Sequence, residues 1–120
     1  MPHSHIEETE RMNVNNLLSI PDLTPLHIAD REREITSCYI CDLLSWVMGR
    51  AKADCVWITI MSNLNVLAVA TLADVSAVIL AEGVTVDEEF LEVAKSKGIN
   101  LFASTLPAYE SAMALSPLLL

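Results

Sequence analysis

Cys55-Val-Trp-Ile-Thr-Ile60, Met61-Ser-Asn-Leu-Asn65, the run from Val66 to Asp74, and Ala77-Val-Ile-Leu-Ala81-Glu82-Gly83 read in succession as strand, turn, helix and strand. The two flanking runs are short, apolar and rich in β-branched residues, as strands covered on both faces are. Between them Leu64, Leu67, Ala68 and Leu72 recur at helical spacing. Parallel strands need a crossover, and the crossover is almost always right-handed, so both strands end at one edge of the sheet. The pattern predicts an α/β domain, a three-layer α/β/α sandwich with a mainly parallel central sheet.

Outward from that unit, Val86 to Gly98 carries concordant helix signals: Thr85 as N-cap, acids in the first turn, Lys95 and Lys97 near the end, and Gly98 as the stop. Ile99 to Ser104 reads as the next strand, and Pro107 opens a last helix from about Ala108 to Leu115. Upstream, Ile40, Leu43, Leu44, Val47 and Met48 form an apolar stripe that predicts a helix from Ser37 onward, with Trp46 beside the stripe as core edge or subunit contact. Asp42 reads there as a solvated or first-turn acid. Leu26-His27-Ile28 alternates as a short strand would, Glu32 to Thr36 reads as an edge strand or a lead-in, and residues 13 to 20 as a short helix or an extended segment. Residues 1–12 read as a leader, expression-derived or frayed, ahead of a single domain over 13–120.

The chain of 120 residues is 52 % hydrophobic but only 5 % aromatic, so its core is built from Ala, Val, Leu and Ile. So much apolar surface in a small domain favours self-association, and a homodimer is expected. A net charge of −9, with only seven basic residues scattered along the chain, argues against nucleic acid as a partner. Ile58 to Ala81 is long enough to span a bilayer, but Asn63, Asn65 and Asp74 interrupt it at high cost, so no membrane span is expected. The polar, acidic start is not a secretory signal, and a cytoplasmic location is expected. Cys38, Cys41 and Cys55 do not form a disulfide framework; Cys38-x-x-Cys41 lacks a second pair at metal spacing and reads as buried small side chains.

Three strand ends bring Met61-Ser62-Asn63, Glu82-Gly83 and Ser104-Thr105 to one edge, the usual ligand crevice of open α/β sheets. The candidate ligand-binding residues are Ser62, Asn63, Asn65, Glu82, Gly83, Ser104 and Thr105. Free N–H groups at the Ser62-Asn63 helix start suit a phosphate or carboxylate, although a plain N-cap explains the same residues. Glu82 is placed to meet a ribose hydroxyl or an amine, or to serve as a turn acid. No G-x-S-x-G, P-loop or G-x-G-x-x-G occurs, and His27 has no assignable carboxylate partner, so no catalytic residue, cofactor or metal site is assigned.

Ile35-Thr36-Ser37-Cys38-Tyr39-Ile40-Cys41-Asp42-Leu43-Leu44-Ser45, with Val56-Trp57-Ile58-Thr59-Ile60, Ala77-Val78-Ile79-Leu80 and Asp87-Glu88-Glu89, resembles the DRTGG domain family in order and spacing, over about Leu26 to Leu115. The chain looks most like its small stand-alone members. The resemblance implies an α/β fold similar to the N-terminal domain of bacterial HPr kinase. It implies a regulatory or assembly module without established catalysis, of the kind found inside phosphate acetyltransferases and between the CBS domains of some inorganic pyrophosphatases. The stand-alone kind is often met beside iron-only hydrogenase and electron-transfer components. Ser37-Cys38 stands where relatives tend to have Gly-Gly, and Ala81-Glu82-Gly83 where they tend to have Thr-Gly-Gly; the namesake pentapeptide is absent. The expected function is a non-enzymatic regulatory domain that dimerises and senses a small anionic metabolite or nucleotide at the strand-end edge. The alternative is an interaction module docking a protein partner through Trp46 and the Leu118 to Leu120 tail.

Overall fold

A computed structural model describes residues 12–119. Its elements in chain order are α1 (Val14–Leu17), β1 (Leu23–His27), β2 (Ser37–Ile40), α2 (Leu44–Arg50), β3 (Cys55–Thr59), α3 (Leu64–Ala73), β4 (Ala77–Leu80), α4 (Glu88–Ser96), β5 (Leu101–Ser104) and α5 (Ala108–Leu119). The strands form one sheet in the order β1-β5-β4-β3-β2. β2 to β5 run parallel, and β1 runs antiparallel along β5.

The four parallel strands lie side by side in chain order, so right-handed crossovers carry α2, α3 and α4 over the same face. There Val47, Val66, Leu67, Phe90 and Ala94 pack on Trp57, Val78, Leu80 and Leu101. The opposite face is covered by α1, α5 and the segment around them, where Met12, Val14, Leu17 and Leu115 meet Val56, Ile58, Ile79 and Phe102. The molecule is thus a three-layer α/β/α sandwich. β3 and β4 are buried at every position, because both of their faces carry core. That is why they read as unbroken apolar runs rather than as alternating ones.

Strand order never reverses among β2 to β5. The parallel part therefore has no switch point at which helices diverge to opposite faces and open a crevice. Direction changes only where β1 lies against β5.

Several local expectations are corrected and others narrowed. The helix read from Ser37 is two elements, the strand β2 and then α2 from Leu44. Ile40 and Leu43, counted in its apolar stripe, are 45 % and 56 % exposed. α3 buries Val66, Leu67, Val69 and Ala70, whereas Leu72 is 70 % exposed. Nearly every residue of α3 is apolar, so spacing alone did not single out the buried face. α4 is capped by Asp87, whose side chain accepts from Phe90 N at 2.9 Å, and not by Thr85. Residues 32–36 are a lead-in that makes a single antiparallel bridge, Asn13 with Glu34. Met12, at the end of the segment read as a leader, is buried, and its carbonyl accepts from Ile35 N at 2.9 Å. Residues 1–11, with His3 and His5, and Leu120 lie outside the described residues. Among the described residues no helix is long and apolar enough to cross a membrane.

Candidate functional site

The parallel strands deliver the three predicted segments to one edge, but β4 separates the first from the last. Ser62 is exposed in the loop after β3. Asn63 caps α3, its Oδ1 accepting from Asn65 N at 3.0 Å, which is the plain capping role. Asn65 is exposed in the first turn. β4 separates these three residues from Ser104 and Thr105.

At the far side, β4 ends in a tight turn. Glu82 and Gly83 both adopt left-handed backbone, φ 66° and 68°, and Val84 N reaches back to Ala81 O at 3.3 Å. Two successive positive φ values with that bond are the geometry of a type I′ turn. The turn is fastened to the exit of β5: Glu82 N donates to Leu106 O and Gly83 N to Ser104 O, both at 2.9 Å. The Ser104 hydroxyl lies 2.7 Å from the Ser111 hydroxyl of α5 and accepts from Leu106 N at 3.1 Å, so it holds α5 against the sheet.

Beside this turn, on the face of α4, opens a cavity of about 400 Å³ lined by Thr24, Leu26, Gly83, Val84, Thr85, Val86, Leu91, Ala103, Ser104 and Thr105. It is bounded by β1, the end of β5, the loop over 83–86 and Leu91 of α4. Gly83, Ser104 and Thr105 of the predicted set line it, and Glu82 flanks it in the turn. Sequence reasoning missed the contributions of β1, the 84–86 loop and α4. The alternation around Leu26 marked a strand, but nothing local to it announced its pairing with β5.

The basic side chains gather at one sheet edge, which they share with Asp30, Glu32, Glu34, Asp54 and Asp74. The basic residues among those described, Arg31, Arg33, Arg50, Lys52, Lys95 and Lys97, lie at helix ends or in the connections that feed the parallel strands, the edge opposite the cavity. The strand-end edge carries Asp22, Asp42, Glu82, Asp87 and the first-turn acids Glu88, Glu89 and Glu110. None of the cavity-lining residues is charged.

The cysteines lie elsewhere. Cys38 sits in β2, and burial first, then Cys55, pushes its thiol pKa up to about 11. Such a thiol is a poor nucleophile at neutral pH. Among the described residues no group of three His, Cys, Asp or Glu side chains is arranged to hold a metal ion.

No protein-family model matches the chain, and no curated protein does. Among solved structures it is similar to the CBS and DRTGG domains of the regulatory region of Clostridium perfringens pyrophosphatase, in a crystal structure complexed with the activator diadenosine tetraphosphate. The likeness has a TM-score of 0.74 at 14 % identity and covers 92 % of this chain and 48 % of that one. The chain therefore spans about half the length of that neighbour. At such low identity the likeness speaks for fold. The fold is DRTGG-like, as the residues from Ile35 to Glu89 led one to expect.

Proposed function

We propose that the chain is a non-enzymatic, cytoplasmic regulatory domain that binds a small metabolite of the nucleotide class at the strand-end cavity. The observation that carries the reading is the cavity itself, about 400 Å³, within the range of small-ligand pockets. Its end wall is a turn pinned by two backbone bonds, so that wall is set without a ligand. The fold likeness to a regulatory region complexed with a dinucleotide activator supports the same class of ligand.

The test is a thermal-shift and titration screen against nucleosides, nucleotides, dinucleoside polyphosphates, acyl phosphates and other phosphorylated metabolites. A ligand at about a hundred times its Kd stabilises the fold by about 2.7 kcal/mol. Thr24→Trp, at an exposed position of the edge strand, fills the cavity and is expected to abolish the shift while leaving the unliganded melt within a few degrees. Retention of the full shift in that variant would place the ligand elsewhere.

A second reading, assembly through a homodimer or a partner protein, is favoured by the apolar side chains left in solvent. Trp46 and Met48 of α2 are each 50 % exposed, with Leu72 of α3 on the neighbouring helix. The Arg50 guanidinium lies 3.9 Å above the Trp46 ring and covers part of it. Leu118 is 39 % exposed. Sedimentation velocity of the wild type and Trp46→Ala decides this reading: a monomer at high concentration, with no partner retained from the native lysate, rejects it.

A further inference from the structure

Resting on the binding site proposed above, we infer that the cavity receives the uncharged, nucleoside end of its ligand and keeps free phosphate out. Its walls are the side chains of Leu26, Val84, Val86, Leu91 and Ala103, with threonines at 24, 85 and 105 around them. Apolar walls with a few hydroxyls suit a flat heterocycle and a sugar. They offer a phosphate no cation. The elements that build the cavity add the opposite charge just outside it: Asp22 precedes β1, Glu82 sits in the turn, Asp87 follows Val86, and Glu88 lies one turn before Leu91. After Lys97 the chain contains no Lys or Arg, so β5 and α5 bring no cation either.

The helix start at α4 does not rescue an anion. Its cap is occupied by the Asp87 carboxylate on Phe90 N, and Glu88 and Glu89 follow. A free phosphate at the mouth therefore meets repulsion within about one Debye length, roughly 8 to 10 Å at ordinary salt. The basic residues stand at the opposite edge of the sheet. A phosphorylated ligand binds here with its phosphates turned outward to solvent.

The experiment compares each ribonucleoside with its own 5′-monophosphate, by titration against the full chain without divalent cations, at low and at high salt. The expected result is a nucleoside that binds about tenfold more tightly than its monophosphate at low salt, with the gap narrowing as salt rises. Glu88→Lys, an exposed change at the mouth, is expected to narrow the gap by about three- to tenfold at low salt. A monophosphate that binds as tightly as its nucleoside, or a gap indifferent to salt and to Glu88→Lys, overturns this inference and leaves the proposed binding site standing. Absence of binding by nucleosides and nucleotides alike overturns the proposed site itself, and this inference with it.

Discussion

Arg33 grips a single oxygen of Asp54 with two donors, Nε at 3.1 Å and Nη2 at 2.9 Å. The same Nη2 reaches Asp74, at 2.8 Å to its carbonyl and 3.1 Å to its carboxylate. Asp54 and Asp74 both hold left-handed backbone, φ 67° and 56°, at the turns that feed β3 and β4. One guanidinium thus ties together the two strained turns from which the central strands start. Exposed ion pairs contribute little, but these bonds converge on one partly buried head group. Arg33→Ala is expected to lower stability by about 1–2 kcal/mol. The midpoint of urea unfolding should fall with its slope unchanged. Arg33→Lys should recover less than half of the loss, since a point charge cannot reproduce the fork.

The Glu82-Gly83 turn makes a paired prediction. A non-glycine residue in left-handed backbone costs about 1–2 kcal/mol, partly offset by the greater chain entropy of glycine in the unfolded state. Glu82→Gly should therefore stabilise the fold by about 0.5–1 kcal/mol. Gly83→Ala should destabilise it by about 1 kcal/mol, although no atom lies within 4 Å of the added methyl, so its whole effect is conformational. Thermal melts of the two variants moving in the same direction would refute the assigned turn.

Asn100 is a buried residue whose side-chain oxygen and nitrogen both have partners. Its Oδ1 accepts from Ala29 N at 2.7 Å and Asp30 N at 2.9 Å, and its Nδ2 donates to Ser76 O at 2.9 Å. It therefore fastens the connection after β1 to the entrances of β4 and β5. Asn100→Ala removes the partner of three backbone groups, two of them in the exposed residues Ala29 and Asp30, and should cost about 1–3 kcal/mol in chemical unfolding. Hydrogen exchange at the Ala29 and Asp30 amides should accelerate in the same variant, which a general loss of packing would not confine to those two sites.

How far the sequence carried the fold depended on where the decisive contacts lie. β3, α3, β4, α4 and β5 were legible because each announces itself within a dozen residues. The 37–43 segment was not, because apolar residues of a strand and of the following helix fell by chance on one helical stripe. Ile40 belongs to the end of β2, and only Val47 of that stripe is fully buried. At the cavity, the strand-end edge and Gly83, Ser104 and Thr105 were within reach of topology. The walls formed by Thr24 and Leu26 were not, because antiparallel pairing of β1 with β5 joins residues about eighty apart. The inward use of the Ser104 hydroxyl depends likewise on a helix that begins after it.

Alkaline pH should weaken the protein through its thiols. Burial raises the Cys38 pKa to about 11, with Cys55 adding to it, and burial raises Cys55 as well. A raised folded pKa means the native state holds its proton where the unfolded chain has lost it. The contribution is therefore complete below the ordinary thiol value of 9.0 and is lost as pH rises toward about 11. Stability by urea unfolding should fall over that window, and Cys38→Ala should flatten the fall. At pH 8 the native protein's Cys38 should react with iodoacetamide far more slowly than in denaturant.

Asp42 and Thr59 should prove coupled. Asp42 Oδ1 accepts from Thr59 Oγ1 at 2.7 Å and from Ile60 N at 3.0 Å, and Thr59 Oγ1 accepts in turn from Met61 N at 3.2 Å. Trp57 Nε1 adds a bond to Cys41 O at 2.8 Å. The chain leaving β2 is thus tied to the end of β3 before α2 begins at Leu44. Asp42→Ala and Thr59→Val should each cost about 1–2 kcal/mol, and the double variant should show a coupling of about 1 kcal/mol in a double-mutant cycle. This corner lies across β4 from the cavity, so Asp42→Ala should leave a nucleoside titration unchanged while Thr24→Trp abolishes it. Strictly additive losses would mean that the carboxylate serves the Ile60 amide alone, and that the buried hydroxyl of Thr59 is satisfied from elsewhere.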